Sequence, residues 1–410
     1  MTEAPEALLF NPFDPAFRVD PYSVYARLRA EEPVHESPIG ALVFSRYAHC
    51  QAILKDPRAS SESRNSDNYK QAVEQGTIDP APQEIPEPFL FRDPPDHTRL
   101  RSLVSKAFTP KSVEGLRPAV QQKVDELLDA IAEKGEMETV EDLAYPLPVF
   151  VICELLGVPA EDQATFRVWS KQAARSLDPV EVLSPEVQAE REKMFDEFVA
   201  YFRTLIEERR KTPSDDILSA LIAAEERGDK LTSEELISTC LLLLIAGHET
   251  TVNLISNGVL ALLRHPDQLA RLEADPSLAG GAVEEVLRYD PPVQMTIRTA
   301  LDDIDVAGAT IKKGQQSVLL LASANRDAER FPDPDRFDIT RTDASHNLSF
   351  GYGIHACLGA PLARLEGVEV FQKLVQRLHG MELRTDVLQY KENIVLRGLE
   401  ALAVGFRSAD

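Results

Sequence analysis

A glycine-punctuated loop near the end of this sequence places one cysteine where it could bind a metal. The loop runs from Phe350 to Gly359 and contains Cys357, and a helix is predicted directly after it, from Ala360 to about Leu378. Free backbone N–H groups and the positive end of the helix dipole favour the thiolate form of a cysteine at this position. A shielded thiolate of this kind is a suitable metal ligand.

The cysteine loop has alternative interpretations. His355 and Cys357 could both bind zinc, but the sequence has no second Cys/His pair at zinc-finger spacing. A catalytic cysteine would need a base and a residue that orients the base, and no such context is evident. A buried loop cysteine without chemistry is the third alternative. The other cysteines lie in apolar helical stretches and are expected to be small buried hydrophobic residues: Cys50, Cys153 and Cys240.

A second group of polar residues interrupts the most apolar helix that the sequence predicts. Thr232 and Glu235 have capping-box spacing, which predicts a helix from there to about His265. Its centre is apolar all round, which indicates burial, and a Gly-His-Glu-Thr-Thr sequence follows, where polar groups are costly to bury. The Thr250 hydroxyl can bond to the carbonyl of Ala246. Taken alone, this pattern fits a threonine that bends the helix as well as it fits a functional threonine.

Helices are predicted to make up most of the chain. Periodicity and capping signals indicate helices over Pro21–Glu31, Thr98–Ala107, Lys111–Glu133, Leu147–Leu156, Pro185–Arg210 and Leu262–Asp275. Patterns that indicate strands are few and short: Ala41–Phe44, Ile304–Val306, Thr310–Ile311, Ser317–Leu321 and Ala401–Phe406. Residues 60–91 lack a clear period and are predicted to form a mobile lid. The sequence therefore predicts a mainly α fold with a small β-sheet region.

The charge balance argues against several kinds of partner. The sequence has 67 Asp and Glu residues against 44 Lys and Arg, a formal net charge of −23, so neither nucleic acid nor an anionic membrane is an expected partner. Residues 1–10 lack the basic part of a secretion signal. The longest apolar stretch, residues 240–246, is far shorter than the roughly 18 residues of a membrane span. A cytoplasmic protein is predicted.

Both polar segments resemble those of one family. The cysteine loop, Phe-Gly-Tyr-Gly-Ile-His-Ala-Cys-Leu-Gly, resembles the haem-binding loop of the cytochrome P450 superfamily at six defined positions, and Ala-Gly-His-Glu-Thr-Thr, residues 246–251, resembles its oxygen-activating helix. The resemblance covers nearly the whole chain. It implies one domain, residues 1–410, with the cytochrome P450 fold: a helical bundle around a buried haem b whose iron Cys357 would bind. The activity it implies is that of a monooxygenase, which inserts one oxygen atom from O₂ into a substrate.

The same resemblance assigns roles to residues by position. Thr250 and Glu249 would be catalytic, with Thr250 assisting oxygen activation and Glu249 connecting it to solvent for proton delivery. Glu285 and Arg288 match a buried structural pair that is joined to a later segment, expected at Arg336. Cations for the haem propionates would be His97, Arg101, Arg298 and His355. Further haem contacts are expected from Phe350, Gly351, Ala246 and Gly359. Substrate contacts are expected from Leu243, Val293, Met295, Thr296, Ile394 and Val395.

Partners also follow from the resemblance. The mostly apolar substrate positions favour a small lipophilic molecule such as a polyketide, terpenoid, steroid or fatty acid. The sequence has no flavin, nicotinamide or iron–sulfur motif, so electrons should come to a monomer from a ferredoxin and its reductase. The docking surface would be a basic patch of Lys106, Lys111, Arg341 and Arg364. The alternatives are a haem protein that senses or stores a ligand, and a haem-thiolate enzyme driven by peroxide.

Overall fold

Helices dominate the structure, which confirms the mainly α prediction. The computed structural model describes residues 8–38, 40–78, 80, 84–106, 108–174, 178, 183–214, 216–226, 231–385 and 387–408, and structural statements refer to these residues. Their α-helices are α1 (Pro15–Val19), α2 (Pro21–Glu31), α3 (Tyr47–Lys55), α4 (Asp67–Glu74), α5 (Asp96–Ser105), α6 (Pro110–Gly115), α7 (Arg117–Ala132), α8 (Pro146–Leu156), α9 (Gln163–Ala174), α10 (Pro185–Lys211), α11 (Ile217–Glu226), α12 (Ser233–Arg264), α13 (Pro266–Ala274), α14 (Ala279–Tyr289), α15 (Leu321–Ala324) and α16 (Ala360–Arg377).

The strands form small sheets at the edges of the helical body. They are β1 (Val34–Glu36), β2 (Leu42–Phe44), β3 (Ala59–Ser60), β4 (Glu136–Glu138), β5 (Thr296–Ala300), β6 (Ile304–Val306), β7 (Ala309–Ile311), β8 (Gln316–Leu319), β9 (Leu378–Leu383) and β10 (Ala403–Ser408). One sheet has the order β1-β2-β8-β5-β3, with β2 and β8 parallel and the other pairs antiparallel. The others are the three-stranded β4-β10-β9 and the hairpin β6-β7.

Prolines account for two differences from the predicted helices. The predicted helix Lys111–Glu133 is two helices, because α7 restarts with Pro118 in its first turn. The predicted helix Leu262–Asp275 begins only at Pro266, after α12 has ended. Proline is accepted in a first turn because the N–H groups there have no partner within the helix.

The segment predicted to be a lid is more regular than its sequence suggested. Residues 60–91 contain α4 and two short 3₁₀ turns, while residues 79 and 81–83 lie outside the described part. The α4 helix begins at a capped serine, Ser66, whose hydroxyl accepts a hydrogen bond from the N–H of Tyr69 over 3.1 Å. The mobility of this segment stays a prediction.

Helix α12 passes through the main hydrophobic core. The predicted capping box is present, because the N–H groups of Glu235 and Thr232 each donate to the other residue's side chain, over 3.1 and 3.0 Å. The helix packs against α8, α9, α14 and α16. It is long and apolar enough to cross a membrane, but 83% of an apolar 18-residue stretch of this helix is buried inside the protein. Its hydrophobicity is therefore accounted for by the core.

Glu285 and Arg288 form a buried ion pair that fastens α14 to the chain that follows it. Both side chains are fully buried, with Arg288 Nε 2.7 Å from Glu285 Oε2. A second bond joins Arg288 Nη2 to Glu285 Oε1 over 2.8 Å. The guanidinium also donates to three backbone carbonyls, those of Asn325, Pro334 and Arg336. A paired and fully hydrogen-bonded charge is tolerated in a core where an unpaired one is not.

The pair is joined to the later segment at Arg336, as expected, and the joining group is the backbone of that residue. Only the carbonyl of Arg336 points inward. Its side chain is 59% exposed and lies 3.3 Å from Asp338. The second cation is Arg341, whose Nε lies 3.4 Å from Glu285.

Candidate active site

Glycines and one backbone hydrogen bond shape the cysteine loop. The N–H of Cys357 donates to the carbonyl of Phe350 over 2.7 Å. Gly351 and Gly353 have φ angles of +67° and +72°, a left-handed conformation that favours glycine. A Cβ atom at Gly353 would also lie 2.6 Å from a carbonyl oxygen of α3. The chain then enters α16 through Gly359, so the cysteine lies just before a helix N-terminus, as the sequence predicts.

Cys357 is an exposed residue, although many protein atoms surround its thiol. Burial raises the pKa of the thiol, and the N–H groups of Gly359 and Ala360 and the charges of Arg101 and Arg364 partly offset that rise. The helix terminus thus acts in the predicted direction but more weakly than burial. A metal bound to the sulfur would displace the proton.

The zinc alternative finds no support in the described residues. No group of three or more His, Cys, Asp and Glu side chains in that part of the chain could hold a metal ion. Structural zinc needs four protein ligands and catalytic zinc usually three. A haem iron, in contrast, would need only one side chain of this protein as a ligand, because the porphyrin supplies most of its other ligands.

The middle of α12 has an accessible patch in an otherwise buried helix. Ala246, Gly247 and Thr250 are half-buried, whereas residues 251–262 are all buried. The Thr250 hydroxyl donates to the carbonyl of Ala246 over 2.7 Å, which confirms the predicted bond. Leu243 lies two helical turns before Thr250 and is buried in the core. The patch carries one hydroxyl group that a ligand beside the helix could reach.

Glu249 has a partner that sequence reasoning missed. Its buried carboxylate lies 2.5 Å from the Nζ of Lys391, and the two side chains are 4% and 14% exposed. Lys391 also donates to Asn253 over 3.2 Å. The neighbouring His248 is fully buried, and burial lowers its pKa to about 3, so its ring is neutral where it packs against Tyr145. No local pattern could have revealed a pair whose members are 142 residues apart.

Four basic side chains meet beside the cysteine loop. The ring centroids of His97 and His355 are 4.2 Å apart, and Arg101 donates to the carbonyl of Ala356 over 2.6 Å. Burial, reinforced by Arg298, His97 and Arg101, lowers the pKa of His355 to about 3, and burial lowers that of Arg298 to about 10. Both ring nitrogens of both histidines are buried without a hydrogen-bond partner among the described residues. Buried polar atoms normally have partners, so this basic cluster fits an anionic ligand.

Five of the six residues predicted to contact substrate lie on two segments that pair with each other. The N–H of Gln294 donates to the carbonyl of Val395 over 2.9 Å, beside an isolated β-bridge. Met295 is only 3% exposed and belongs to a core formed with the N-terminal helices, against which Ile394 also packs. Met295 is therefore placed to support this segment, while Val293 and Thr296 remain partly accessible.

The predicted basic patch loses one member. The side chain of Arg341 is 10% exposed and is occupied by Glu285, Asp343 and three backbone carbonyls. Arg364 remains at the surface, 4.5 Å above the ring of Phe350, where it pairs with Glu284. Of the predicted patch, Lys106 and Lys111 are exposed and Arg364 is partly exposed.

Comparison with known proteins gives one consistent result. The family model described as cytochrome P450 matches residues 52–275 and 277–396. The chain is 44% identical to the cytochrome P450 monooxygenase PikC of Streptomyces venezuelae, over 99% of this chain and 96% of the relative. It is also 44% identical to a vitamin D(3) 25-hydroxylase of Pseudonocardia autotrophica, over 97% of both. The crystal structure of P450BioI in complex with an acyl carrier protein ligated with hexadec-9Z-enoic acid is 42% identical and has a TM-score of 0.85, covering 96% of this chain and 99% of that one.

Proposed function

This chain belongs to the cytochrome P450 family and is a monooxygenase, and we propose that it uses haem b, bound through Cys357, to oxidise a small lipophilic substrate. One observation carries the proposal: an accessible cysteine at a helix N-terminus lies beside a basic cluster whose buried imidazoles lack partners. When bound, a haem with a thiolate ligand supplies the electron density that favours cleavage of the O–O bond.

The basic cluster would hold the haem by its two propionates. His97, Arg101, Arg298 and His355 supply the donors that two carboxylates need, and the unpartnered ring nitrogens would gain hydrogen bonds. Gly359 keeps the loop backbone close to the sulfur, since a Cβ atom there would lie 4.0 Å from it, and Gly351 permits the left-handed turn of the loop. Phe350 and Ala246 are both half-buried at the border of the main core. The donor chemistry of these residues therefore fits this cofactor.

Thr250 and Glu249 would supply protons to the reaction. The Thr250 hydroxyl has an acceptor at Ala246 when it is not engaged by a ligand, so its donor can be redirected without breaking the helix. Glu249 is the preceding residue of the chain, and its carboxylate is held by Lys391. A positioned proton donor contributes about 10²–10⁴-fold to a proton-transfer step.

Replacing Thr250 with alanine should separate electron consumption from product formation. We expect product to fall by roughly 10²-fold, the low end of the range for proton transfer, while reductant is still consumed and hydrogen peroxide accumulates. Product and peroxide per reductant would be measured together. Thr251→Ala is the matched control, because Thr251 makes the same kind of bond to the carbonyl of Gly247 and is buried. Equal losses in the two variants would remove Thr250 from the mechanism.

The substrate class follows from similar proteins and from the apolar residues near the site. One relative is named for the hydroxylation of vitamin D(3), and one similar structure contains a fatty acyl chain on a carrier protein. We infer that a polyketide, terpenoid, steroid or fatty acid is oxidised at a C–H or C=C bond. Leu243, Val293, Thr296, Ile394 and Val395 would contact it, and Met295 would support them from the core side.

Electrons would come from a ferredoxin and its reductase to a cytoplasmic, monomeric protein of one domain. Lys106, Lys111 and Arg364 supply positive charge near the cysteine loop, although the whole chain carries a net charge of −23. A local patch of this sign attracts an acidic electron carrier.

The test combines substrate screening with reconstitution. Steroids, macrolide lactones and fatty acids would be titrated into the purified haem protein to find compounds that shift the ferric spin state. The best compound would then be incubated with NADPH, a ferredoxin and its reductase under ¹⁸O₂. Incorporation of one labelled oxygen atom into the product is the expected result. Turnover with hydrogen peroxide alone, and none with the ferredoxin system, would favour the peroxide-driven alternative. Spin-state shifts without any product would favour a sensor.

A further inference from the structure

Three polar residues lie on one face of α12, the most apolar helix of the chain. Glu249, Asn253 and Asn257 are four residues apart, so their side chains line up along the helix. All three residues are buried, with exposures of 3%, 0% and 1%. Buried polar side chains require partners. Their shared partner is the C-terminal hairpin, defined here as residues 390–399.

The C-terminal hairpin contacts all three residues of this polar face. Lys391 reaches both Glu249 and Asn253, over 2.5 and 3.2 Å. The Asn257 amide donates to the carbonyl of Arg397 over 3.1 Å. Between these two contacts, Gly398 lies so close to α12 that a Cβ atom on it would be 1.9 Å from the Asn253 side chain. The hairpin therefore cannot shift along α12 without breaking these contacts.

The same hairpin carries two of the residues proposed to contact substrate. Its tip contains Ile394 and Val395, whose N–H groups both donate to the carboxylate of Asp178, over 3.0 and 3.3 Å. Across its base, Tyr390 and Leu399 form a β-bridge. One short element thus connects the substrate segment at its tip to the Glu249 carboxylate at its base.

We propose that Lys391 is a positioning residue that couples occupation of the substrate site to the orientation of the Glu249 carboxylate. A substrate that displaces the hairpin tip moves Lys391, and the lysine keeps its hold on the carboxylate and turns it toward Thr250 for proton delivery. The inference rests on the proposed function, because it assumes that Glu249 delivers protons and that Ile394 and Val395 contact substrate. Coupling of this kind is reciprocal, so a change at Glu249 must also alter binding at the substrate site.

A double-mutant cycle on ligand affinity tests the coupling. Lys391→Gln, Glu249→Gln and the double variant would be titrated with econazole, an imidazole that binds haem iron and fills the space beside it. Each single change should alter the dissociation constant by roughly fivefold, the lower end of typical coupling between two sites. The double variant should differ little from either single variant, because the two residues act as a unit. An unchanged affinity in Glu249→Gln, or strictly additive effects, would overturn the proposal.

A second measurement separates positioning from simple structural support. With the best compound of the screen as substrate, Lys391→Gln should raise the share of electrons that leave as hydrogen peroxide, and Lys391→Arg should restore it. If Lys391 only stabilises the hairpin, affinity changes but the peroxide share does not. Lys373→Gln is the matched control, since Lys373 is also partly buried, at 18%, and pairs with Asp125. If the unaltered protein forms no product, the proposed function fails. If the unaltered protein forms product and Lys391→Gln has the same peroxide share as the unaltered protein, only this inference fails.

Discussion

Replacing Cys357 with serine should abolish the absorption band at about 450 nm that the reduced, carbon monoxide-treated protein is expected to show. A serine hydroxyl keeps its proton and donates far less electron density to iron than a thiolate does. Monooxygenase activity should fall to background in the same preparation. The loop itself should remain folded, because the hydrogen bond from residue 357 to Phe350 uses the backbone N–H.

The matched control for this change is Cys153→Ser. Cys153 is fully buried in α8, and it is far along the sequence from Cys357, the proposed iron ligand. Burying a hydroxyl there should lower stability by about 1–3 kcal/mol and leave the absorption band in place. A serine variant at residue 357 that retains the band would contradict both the ligand assignment and the proposed function.

Replacing Glu285 with alanine should prevent accumulation of the folded haem protein. The change leaves Arg288 fully buried without its carboxylate, and it also removes one of the two carboxylates that pair with Arg341. Breaking a buried pair by deleting one member costs about 3–5 kcal/mol, a large part of the 5–15 kcal/mol that typically stabilises a domain. Soluble yield, haem content and the midpoint of urea unfolding would be measured.

Glu284→Ala is the control for that experiment. Glu284 is the preceding residue on α14, and it pairs with Arg364 where both side chains keep contact with solvent. Pairs of this kind contribute about 1 kcal/mol or less. Glu284→Ala should therefore fold and bind haem normally, and similar losses in the two variants would show that any change on α14 is harmful.

Local patterns predicted the elements that carry the chemistry. The capping box at Thr232 and the apolar run after it identified α12 to within a residue or two, and glycine spacing identified the cysteine loop. Boundaries were wrong where a proline restarts a helix, at Pro118 and Pro266. Short strands such as β3 and β5 were missed because two to five residues carry too little periodicity.

Contacts between distant parts of the chain were predictable only through the family resemblance, or not at all. His97 and His355 were expected to act together because both match family positions, and the structure brings their rings into contact. Lys391 has no such signal. That Arg341 is the second cation beside Glu285 depends on which side of an irregular segment faces inward, and neither propensity nor periodicity encodes that.

The basic cluster beside the cysteine loop affects how stable the protein is in a cell before its cofactor binds. Two buried imidazoles of this cluster lack hydrogen-bond partners until an anion arrives, and two arginines lie beside them, so the polypeptide without its cofactor is less stable than with it. A ligand at a hundred times its dissociation constant adds about 2.7 kcal/mol to folding stability. Newly made chains that outnumber the available haem would thus unfold and be degraded first, and the supply of iron and porphyrin would set how much of this enzyme accumulates.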